Sequence, residues 1–532
     1  MRDHEPTVSD DRTQGFQPAS LDSTRGRWII VATALGSGMV FLDGSVVNVA
    51  LPRIQTDLGV PLSGLQWIID SYALFLAALL LTGGALGDLY GRKRAFLTGM
   101  AIFTLASVAC GLAPTSQWLI AARAVQGIGG ALLVPGSLAM IKATIAPEDS
   151  GRAIGLWAGL SGTTTALGPL LGGYLVGAVT WRLIFFINVP LALITFYATM
   201  VHVPESRDTR ASPRLDWLGA ALTVIGLGGV TYGLIEGPGS GWGSTPVVAT
   251  LVIGALALVA FPIVELRAPN PMVPLWLFKS SNFTGSNLAT LGVYFSFNGL
   301  FLFLILKLQQ VQGYSPLQAG ASMLPVTILL LLLSPRVGGL IGRFGARALI
   351  ASGASLVAVA FLLMTLMGTN PPYWMQLFPA ILVLALGMCL FITPLTATVM
   401  GAVPPDSVGV ASGINNAVSR VAALLAIAIL GIIMVNQFQT ALSSNLQSAG
   451  INSHAQTKLL ANASRLADDP VPKGLTPAQA SAAHAAIDDA YLTGFRWLMG
   501  TCALLCILSA LISLAMIGPE HVPKPALASI GT

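Results

Sequence analysis

Residues 84–94 read Gly84-Ala85-Leu86-Gly87-Asp88-Leu89-Tyr90-Gly91-Arg92-Lys93-Arg94. An apolar run over 71–84 leads into this stretch and another over 95–113 leaves it. Both runs approach the length that spans the hydrocarbon of a bilayer. The turn between them carries three cations and one carboxylate. So short a charged turn belongs at a membrane surface, and clustered cations mark the cytoplasmic side. Gly84, Gly87 and Gly91 allow close helix approach and a tight turn. The plain reading of the stretch is a topology anchor, and the rest of the chain tests whether it is more.

Composition supports a membrane setting. The 532 residues are 54% hydrophobic and 9% charged, against about 25% charged in a soluble domain. So few charges cannot solvate a globular surface of this size, so lipid is expected to cover much of it. The net charge of +5 does not point to nucleic acid, because the basic residues sit in short turns between apolar runs. Cys110, Cys389, Cys502 and Cys506 all fall in apolar runs. No His or carboxylate accompanies them to complete a metal site, so they read as packing residues and no metal is expected.

Apolar runs broken by charged or Pro/Gly-rich turns predict an all-α membrane protein with about fourteen transmembrane helices. Residues 1–27 read as a disordered cytoplasmic tail, 28–202 as a six-helix bundle, and 203–266 as a linker with two helices. Residues 267–517 read as a second six-helix bundle and 518–532 as a second tail. With the N-terminus inside, Arg25, Arg27, Arg92, Lys93, Arg94, Lys142, Arg152, Arg207, Arg210, Arg214, Arg267, Lys279, Arg336, Arg343 and Arg347 all fall on the cytoplasmic side. Only Arg53, Arg182 and Lys307 fall in short outer loops. Both termini are then cytoplasmic and the polar segment 437–492 is outside. Within it, Thr476 and Pro477 read as N-cap and first residue of a short helix over 476–490. The segment is expected to form a small helical lid without chemistry of its own.

An internal repeat supports the two-bundle reading. Pro147-Glu148-Asp149-Ser150 before the fifth run matches Pro404-Pro405-Asp406-Ser407 before the thirteenth, an offset of 404 less 147, or 257. A degenerate copy of the opening stretch, Gly342-Arg343-Phe344-Gly345-Ala346-Arg347, lies at 345 less 91, or 254. The matched elements are eight helices apart rather than six, so two helices are inserted between homologous bundles. Parallel repeats of this kind occur in transporters that rock around a midplane site.

Three charged groups lie inside apolar runs, where charge is expensive and usually functional. Asp43 sits in Phe41-Leu42-Asp43-Gly44-Ser45-Val46-Val47-Asn48-Val49-Ala50-Leu51-Pro52. Asp70 sits about one turn inside the outer end of the second run, in Gln66-Trp67-Ile68-Ile69-Asp70-Ser71-Tyr72. Arg123 sits in Arg123-Ala124-Val125-Gln126-Gly127-Ile128-Gly129-Gly130, and a guanidinium is always protonated. Asp43 and Arg123 fall at similar depth in the outer half of the first bundle. Either Asp43 or Asp70 is a candidate proton carrier; burial for structure and solvation at the interface are the competing readings. Gly168-Pro169-Leu170-Leu171-Gly172-Gly173 supplies a kink and a close helix contact.

Together these segments, with Trp181-Arg182 and Ile187-Asn188-Val189-Pro190, resemble the fourteen-helix drug/proton antiporter branch of the major facilitator superfamily. The resemblance implies the major facilitator fold, two six-helix bundles with two inserted helices. It implies a proton-coupled exporter of amphipathic drugs or toxic compounds in a plasma membrane of bacterial type, working as a monomer and driven by the proton gradient without a cofactor. It implies that Gly84, Asp88, Gly91, Arg92 and Lys93 form a conformational clamp and that Arg123 is tied to proton coupling. Gly168, Pro169, Gly172 and Gly173 would form the antiporter kink. One departure is Thr164, where the family pattern has a glycine four residues before Gly168.

The second bundle holds no convincing intramembrane carboxylate, and Arg420 faces an unknown side. Substrate contacts are therefore expected from aromatic and amide groups of both bundles: Asn48, Trp67, Tyr72, Gln126, Tyr294, Phe297, Asn298, Asn415 and Asn416. Export of an endogenous metabolite or lipid is the alternative transport reading. A membrane enzyme or sensor is less supported: no nucleotide-binding loop or soluble catalytic domain is present, and the histidines lie outside or at the edge of the apolar runs. The orientation predicts that a cysteine placed at Ser453 reacts with an impermeant thiol reagent from outside intact cells. Reaction only after permeabilisation would reverse the topology.

Overall fold

A computed structural model describes residues 18–207, 215–369, 372–404, 407–449, 451–468 and 475–518. The tails at 1–17 and 519–532, and Pro405 and Asp406 of the repeat, lie outside these residues. The first bundle comprises α1 (Thr24–Leu58), α2 (Leu62–Tyr90), α3 (Arg92–Gly111), α4 (Ser116–Thr144), α5 (Pro147–Ala178), α6 (Leu183–Phe186) and α7 (Asn188–His202). A hairpin of α8 (Trp217–Ser240) and α9 (Thr245–Glu265) follows. The second bundle comprises α10 (Ser281–Leu306), α11 (Pro316–Ala321), α12 (Leu324–Phe344), α13 (Ala346–Thr365), α14 (Phe378–Gly401), α15 (Val408–Ser448), α16 (Ser453–Ala461) and α17 (Pro477–Met516).

Thirteen helical segments among the described residues are long and apolar enough to cross a membrane. The 32-residue α5 runs among them against α1. The architecture is two six-helix bundles, with α8 packed on α2 and α15 at the seam between them. One end of the molecule carries Arg92, Lys93 and Arg94 and is called the basic end; the other carries α16 and is called the cap end.

The repeat is visible in backbone geometry. Gly91 joins α2 to α3 at φ +115°, and Gly345 joins α12 to α13 at φ +78°. Both angles are disfavoured for residues with a Cβ. At Gly91 a Cβ would also stand 2.7 Å from Glu205 Oε1, which accepts the Lys93 amide at 3.0 Å. The α3–α4 contact is made by Gly99 and Gly129, and α13–α14 by Gly353 and Gly387. These pairs are separated by 353 less 99, or 254, and 387 less 129, or 258 residues.

Several boundaries differ from expectation. The N-terminal tail ends before residue 27: Ala19 pairs with the chain at Thr144 and Ala146, and Asp149 accepts from Leu21 N at 2.9 Å. The sixth helix is broken between α6 and α7, because Pro190 has no N–H for the carbonyl of Phe186. The tenth is broken between α11 and α12 just before Pro325. Lys307 is not in a loop. It opens a π-helical turn continuous with α10, is fully buried, and donates to Gly368 O at 3.0 Å. Thr476 caps a helix starting at Pro477 with a reciprocal Gln479 contact, but that helix is the 40-residue α17, not a separate short one.

The segment between α15 and α17 is built into the fold. Ile451, Leu459 and Leu466 are buried with Ile54, Val60 and Leu65 of the first bundle in one apolar cluster. Gln55 donates to Arg465 O at 3.2 Å, and Gln310 donates to Gln55 at 2.9 Å. The lid therefore ties the two bundles together at the cap end.

The Gly/Pro motif of α5 serves two seams. Gly168 and Gly172 face α1, where added Cβ atoms would collide with Ser45 and Val46. Pro169 and Gly173, on another face, meet α11: Gly320 abuts the Pro169 carbonyl and Gly173 abuts Leu317. Thr164 fits against α1 because the residue opposite is Gly38, whose carbonyl it reaches at 3.2 Å. Toward the basic end the bundles separate: Gly155 and Gly159 of α5 and Gly339 and Gly342 of α12 have open space around them. Between α5 and α12 the bundles thus part toward the basic end, while α11 and the lid close them at the cap end and Leu81 of α2 still meets Gly413 of α15; this opening is called the crevice. A Gly320→Leu variant should prise α5 from α11. Electron–electron distances between spin labels at the exposed Val179 and Trp374 should lengthen; an unchanged distribution would mean that this contact does not hold the cap end shut.

Candidate functional site

The centre of the first bundle is a buried polar network. Asp43 on α1 and Arg123 on α4 are both buried and form an ion pair through Oδ2 and Nη1. Gln126, one turn along α4, donates to Asp43 Oδ1 at 2.8 Å and accepts from Arg123 Nη1 at 2.8 Å. Asn188, at the start of α7, donates to Asp43 Oδ1 at 3.3 Å and to Ser107 Oγ of α3 at 3.0 Å. Arg123 Nε donates to the Ile68 carbonyl of α2 at 3.1 Å, and the guanidinium lies 4.1 Å from the centre of the Tyr72 ring. The Tyr72 hydroxyl donates to Val40 O at 3.1 Å. Five helices thus meet at one charge pair.

The local sequence explains how they converge. Gly127 lets α2 approach until a Cβ would strike the Tyr72 carbonyl, and the break before Pro190 turns Asn188 inward. An ion pair costs several kcal/mol per ion to bury, and only good geometry with further hydrogen bonds offsets that. Here both Asp43 oxygens have donors. Asn188 and Ser107 were not singled out from sequence as partners of Asp43; the interrupted apolar run at Ile187-Asn188-Val189-Pro190 was the available signal.

Asp70 stands apart. Its carboxyl is fully buried and neither oxygen has a hydrogen-bond partner. It lies one turn from Gln66, which donates to Ile427 O of α15 at 2.5 Å. Asp70 is therefore associated with the seam between bundles rather than with Arg123. Glu236 and Trp67 form another seam contact: the indole donates to Glu236 Oε1 at 2.9 Å and packs on Tyr232 at 5.9 Å.

The expected substrate contacts separate into groups. Trp67 is held by α8, and Tyr72 and Gln126 belong to the Asp43 network, so none of the three projects freely into the crevice. Asn415 donates to Asn287 and Thr290 of α10, at 3.1 and 2.9 Å, and joins two helices of the second bundle. Asn298 bonds Tyr294 O of its own helix, and Phe297 packs edge-on against Phe301. The crevice is bordered by partly exposed Asn48, which follows Phe41 and the open position Gly44 on α1, and by exposed Asn416 on α15.

At the basic end Asp88 pairs with Arg92, 2.7 Å from Nη2 and 2.8 Å from Nε. Both belong to the first bundle, so in this conformation the carboxylate is not used to hold the bundles together. Lys93 donates to Met200 O at 2.9 Å, and Gly84 lies against Pro135. Among the described residues no group of His, Cys, Asp and Glu is arranged to hold a metal ion.

The sequence profile of the Major Facilitator Superfamily matches residues 33–427. The chain is 36% identical over 427 residues to the multidrug resistance protein Stp of Mycobacterium tuberculosis, covering 79% of this chain and 78% of that one. It is 34% identical to the tetracenomycin C resistance and export protein of Streptomyces glaucescens, covering 81% and 80%. It is 37% identical to a cephamycin export protein of Amycolatopsis lactamdurans, covering 74% and 82%. Among solved structures it is similar to a bacterial homologue of the human lysosomal transporter Spinster, with TM-score 0.63, 18% identity, and 94% and 100% of the two chains covered. It is also similar to the POT family transporter PepTSo, with TM-score 0.62, 14% identity, and 92% and 98% covered. At these identities the solved structures bear on fold alone.

The contact assigned to Trp67 gives a direct test. Trp67→Phe leaves Glu236 without its donor and should destabilise the protein by about 1–3 kcal/mol, read as a lower melting temperature. Affinity for a transported compound should be unchanged. A large loss of affinity at unchanged stability would return Trp67 to the substrate site.

Proposed function

Because the chain belongs to the Major Facilitator Superfamily, we propose that it is a proton-coupled antiporter that exports small amphipathic toxic compounds across the plasma membrane of a bacterium. The names of the relatives, which refer to drug resistance and export, support the substrate class and direction. The excess of basic residues at one end supports an orientation with both termini cytoplasmic, so the crevice faces the cytoplasm. The protein works as a monomer, without enzymatic activity and without a cofactor; the proton gradient is the driving force.

One observation carries the coupling: a carboxylate and a guanidinium buried together at the core of the first bundle, each held by neutral amides. Arg123 keeps its charge throughout. Asp43 is the group that can change charge, and its surroundings depend on how α1 sits against α4 and α7. Rocking of the bundles reaches α1 directly, because the α5 glycines seat on α1 and the same motif of α5 contacts α11. A shift of α1 that loosens the contacts of Asp43 with Gln126, Asn188 and Arg123 lets a proton replace the guanidinium as the partner of the carboxylate. Asp70, at the seam that slides during rocking, is the alternative carrier. Asp88, paired with Arg92 here, becomes available to the second bundle when the basic end closes. That half cannot supply an equivalent carboxylate, because Gly342 occupies the corresponding position.

Substrate-induced proton release from the purified protein, followed with a pH dye in weak buffer, tests this assignment. Asp43→Asn should abolish release and uphill export while leaving downhill equilibration of substrate. Unchanged release from Asp43→Asn, with loss only in Asp70→Asn, would transfer the role to Asp70.

A further inference from the structure

Arg420 lies on α15, about 18 Å along the helix from Val408 at 1.5 Å per residue, and is therefore deep in the membrane. Its guanidinium stands 5.6 Å from the centre of the Phe41 ring, across the seam on α1. The phenols of Tyr72 and Tyr294 lie within electrostatic range of it. Phe41 precedes Gly44 and Asn48 on one stripe of α1, and Arg420 follows exposed Asn416 by one turn of α15. Arg420 is itself partly exposed, so it borders the crevice between the bundles rather than lying in a packed interior.

Arg420 has no carboxylate partner among the described residues. The five ion pairs there join Arg53 to Asp57, Arg92 to Asp88, Arg94 to Glu205, Arg123 to Asp43, and Arg152 to Asp22. From Ser281 to Gly450 the only carboxylate in the sequence is Asp406, fourteen residues from Arg420. Asp43 is occupied by Arg123, Gln126 and Asn188, and Asp70 lies nearer the cap end, by the Gln66 contact with Ile427. No hydrogen-bond acceptor engages the Arg420 guanidinium among the described residues either, whereas buried Lys307 and partly buried Arg496 each donate to a backbone carbonyl. A permanent cation at this depth is expensive unless neutralised, and aromatic faces offset only part of that cost.

We propose that Arg420 is the anchor for an anionic group of the exported compound, so that the substrates are aromatic organic acids rather than lipophilic cations. The guanidinium presents a planar fork that matches a carboxylate with two parallel hydrogen bonds. Phe41 flanks it with the apolar surface that an attached ring system needs. The site spans both bundles, with the cation on one and Phe41 on the other, so an occupant senses their relative motion. This inference rests on the transport reading above and narrows its substrate class.

The test uses two probes sharing one ring system, 1-pyrenebutyrate and 1-pyrenebutylammonium, with detergent-purified full-length protein. Equilibrium dialysis should show the carboxylate bound at least tenfold more tightly than the ammonium. Arg420→Gln should erase that preference by weakening the carboxylate alone, and Arg420→Lys should retain part of it. Equal affinities in the wild type, tighter binding of the ammonium, no binding of either probe, or an unaltered carboxylate affinity in Arg420→Gln would each overturn the proposal. Should Arg420→Gln fail to fold, the wild-type ratio and the Lys variant decide. Proteoliposome flux separates the two layers of inference. Proton-driven export of the ammonium alone refutes the anion site but not the antiporter. Arg420-dependent carboxylate binding without proton-driven flux refutes the antiporter but not the site.

Discussion

A guanidinium held in the middle of a lipid-embedded bundle requires a counter-charge, and in this protein that requirement fixes the first bundle. Arg123 draws on a carboxylate from α1, an amide from its own helix, a carbonyl from α2 and an aromatic face at Tyr72. The carboxylate in turn takes an amide from α7, which is tied through Ser107 to α3. Removing either member of such a pair leaves an uncompensated buried charge, a penalty of about 3–5 kcal/mol. Glycines bring α2, α3 and α4 nearly into backbone contact around Arg123, so the guanidinium is held in a frame against which α1 and its carboxylate can shift.

The two bundles share a backbone plan but not a charge plan. Gly91 and Gly345 make the same positive-φ joint, and Gly99–Gly129 and Gly353–Gly387 make the same helix contact. All five ion pairs among the described residues nevertheless lie between Asp22 and Glu205. Duplication preserved what packing demands, which is small residues where helices touch. The carboxylates diverged: in the second bundle Lys307 and Arg496 rest on backbone carbonyls, and Arg420 borders the crevice.

Features that depend on local chemistry were legible in the sequence. Helix number, the tight turn at Gly91, the cap at Thr476 and the shared depth of Asp43 and Arg123 all follow from hydropathy, turn residues and helical rise. Features that depend on which face a helix turns were not. Trp67 and Asn415 resemble ligand contacts in the sequence, because an aromatic or amide group in an apolar run suits either a pocket or a helix contact; the structure turns Trp67 to α8 and Asn415 to α10. Asn188 is a single amide in an apolar run, and its role depends on the break between α6 and α7 that brings it to Asp43. The lid between α15 and α17 looked separable because its polar residues mask the apolar face that Ile451, Leu459 and Leu466 turn to the first bundle.

The closure at the cap end has a further consequence. It is made of a glycine against a proline carbonyl, a glycine against Leu317, side-chain amide contacts from Gln55, Gln309 and Gln310, and one guanidinium contact from Arg465 to the Gly59 carbonyl. No ion pair among the described residues crosses from one bundle to the other. Amide hydrogen bonds exchange for water with only a small net change in free energy, and apolar backbone contacts carry no charge for salt to screen. The seal at the cap end is therefore only weakly sensitive to ionic strength, in contrast to a basic end lined with Asp88, Arg92, Lys93 and Arg94. Salt acts on the two faces of the molecule unequally.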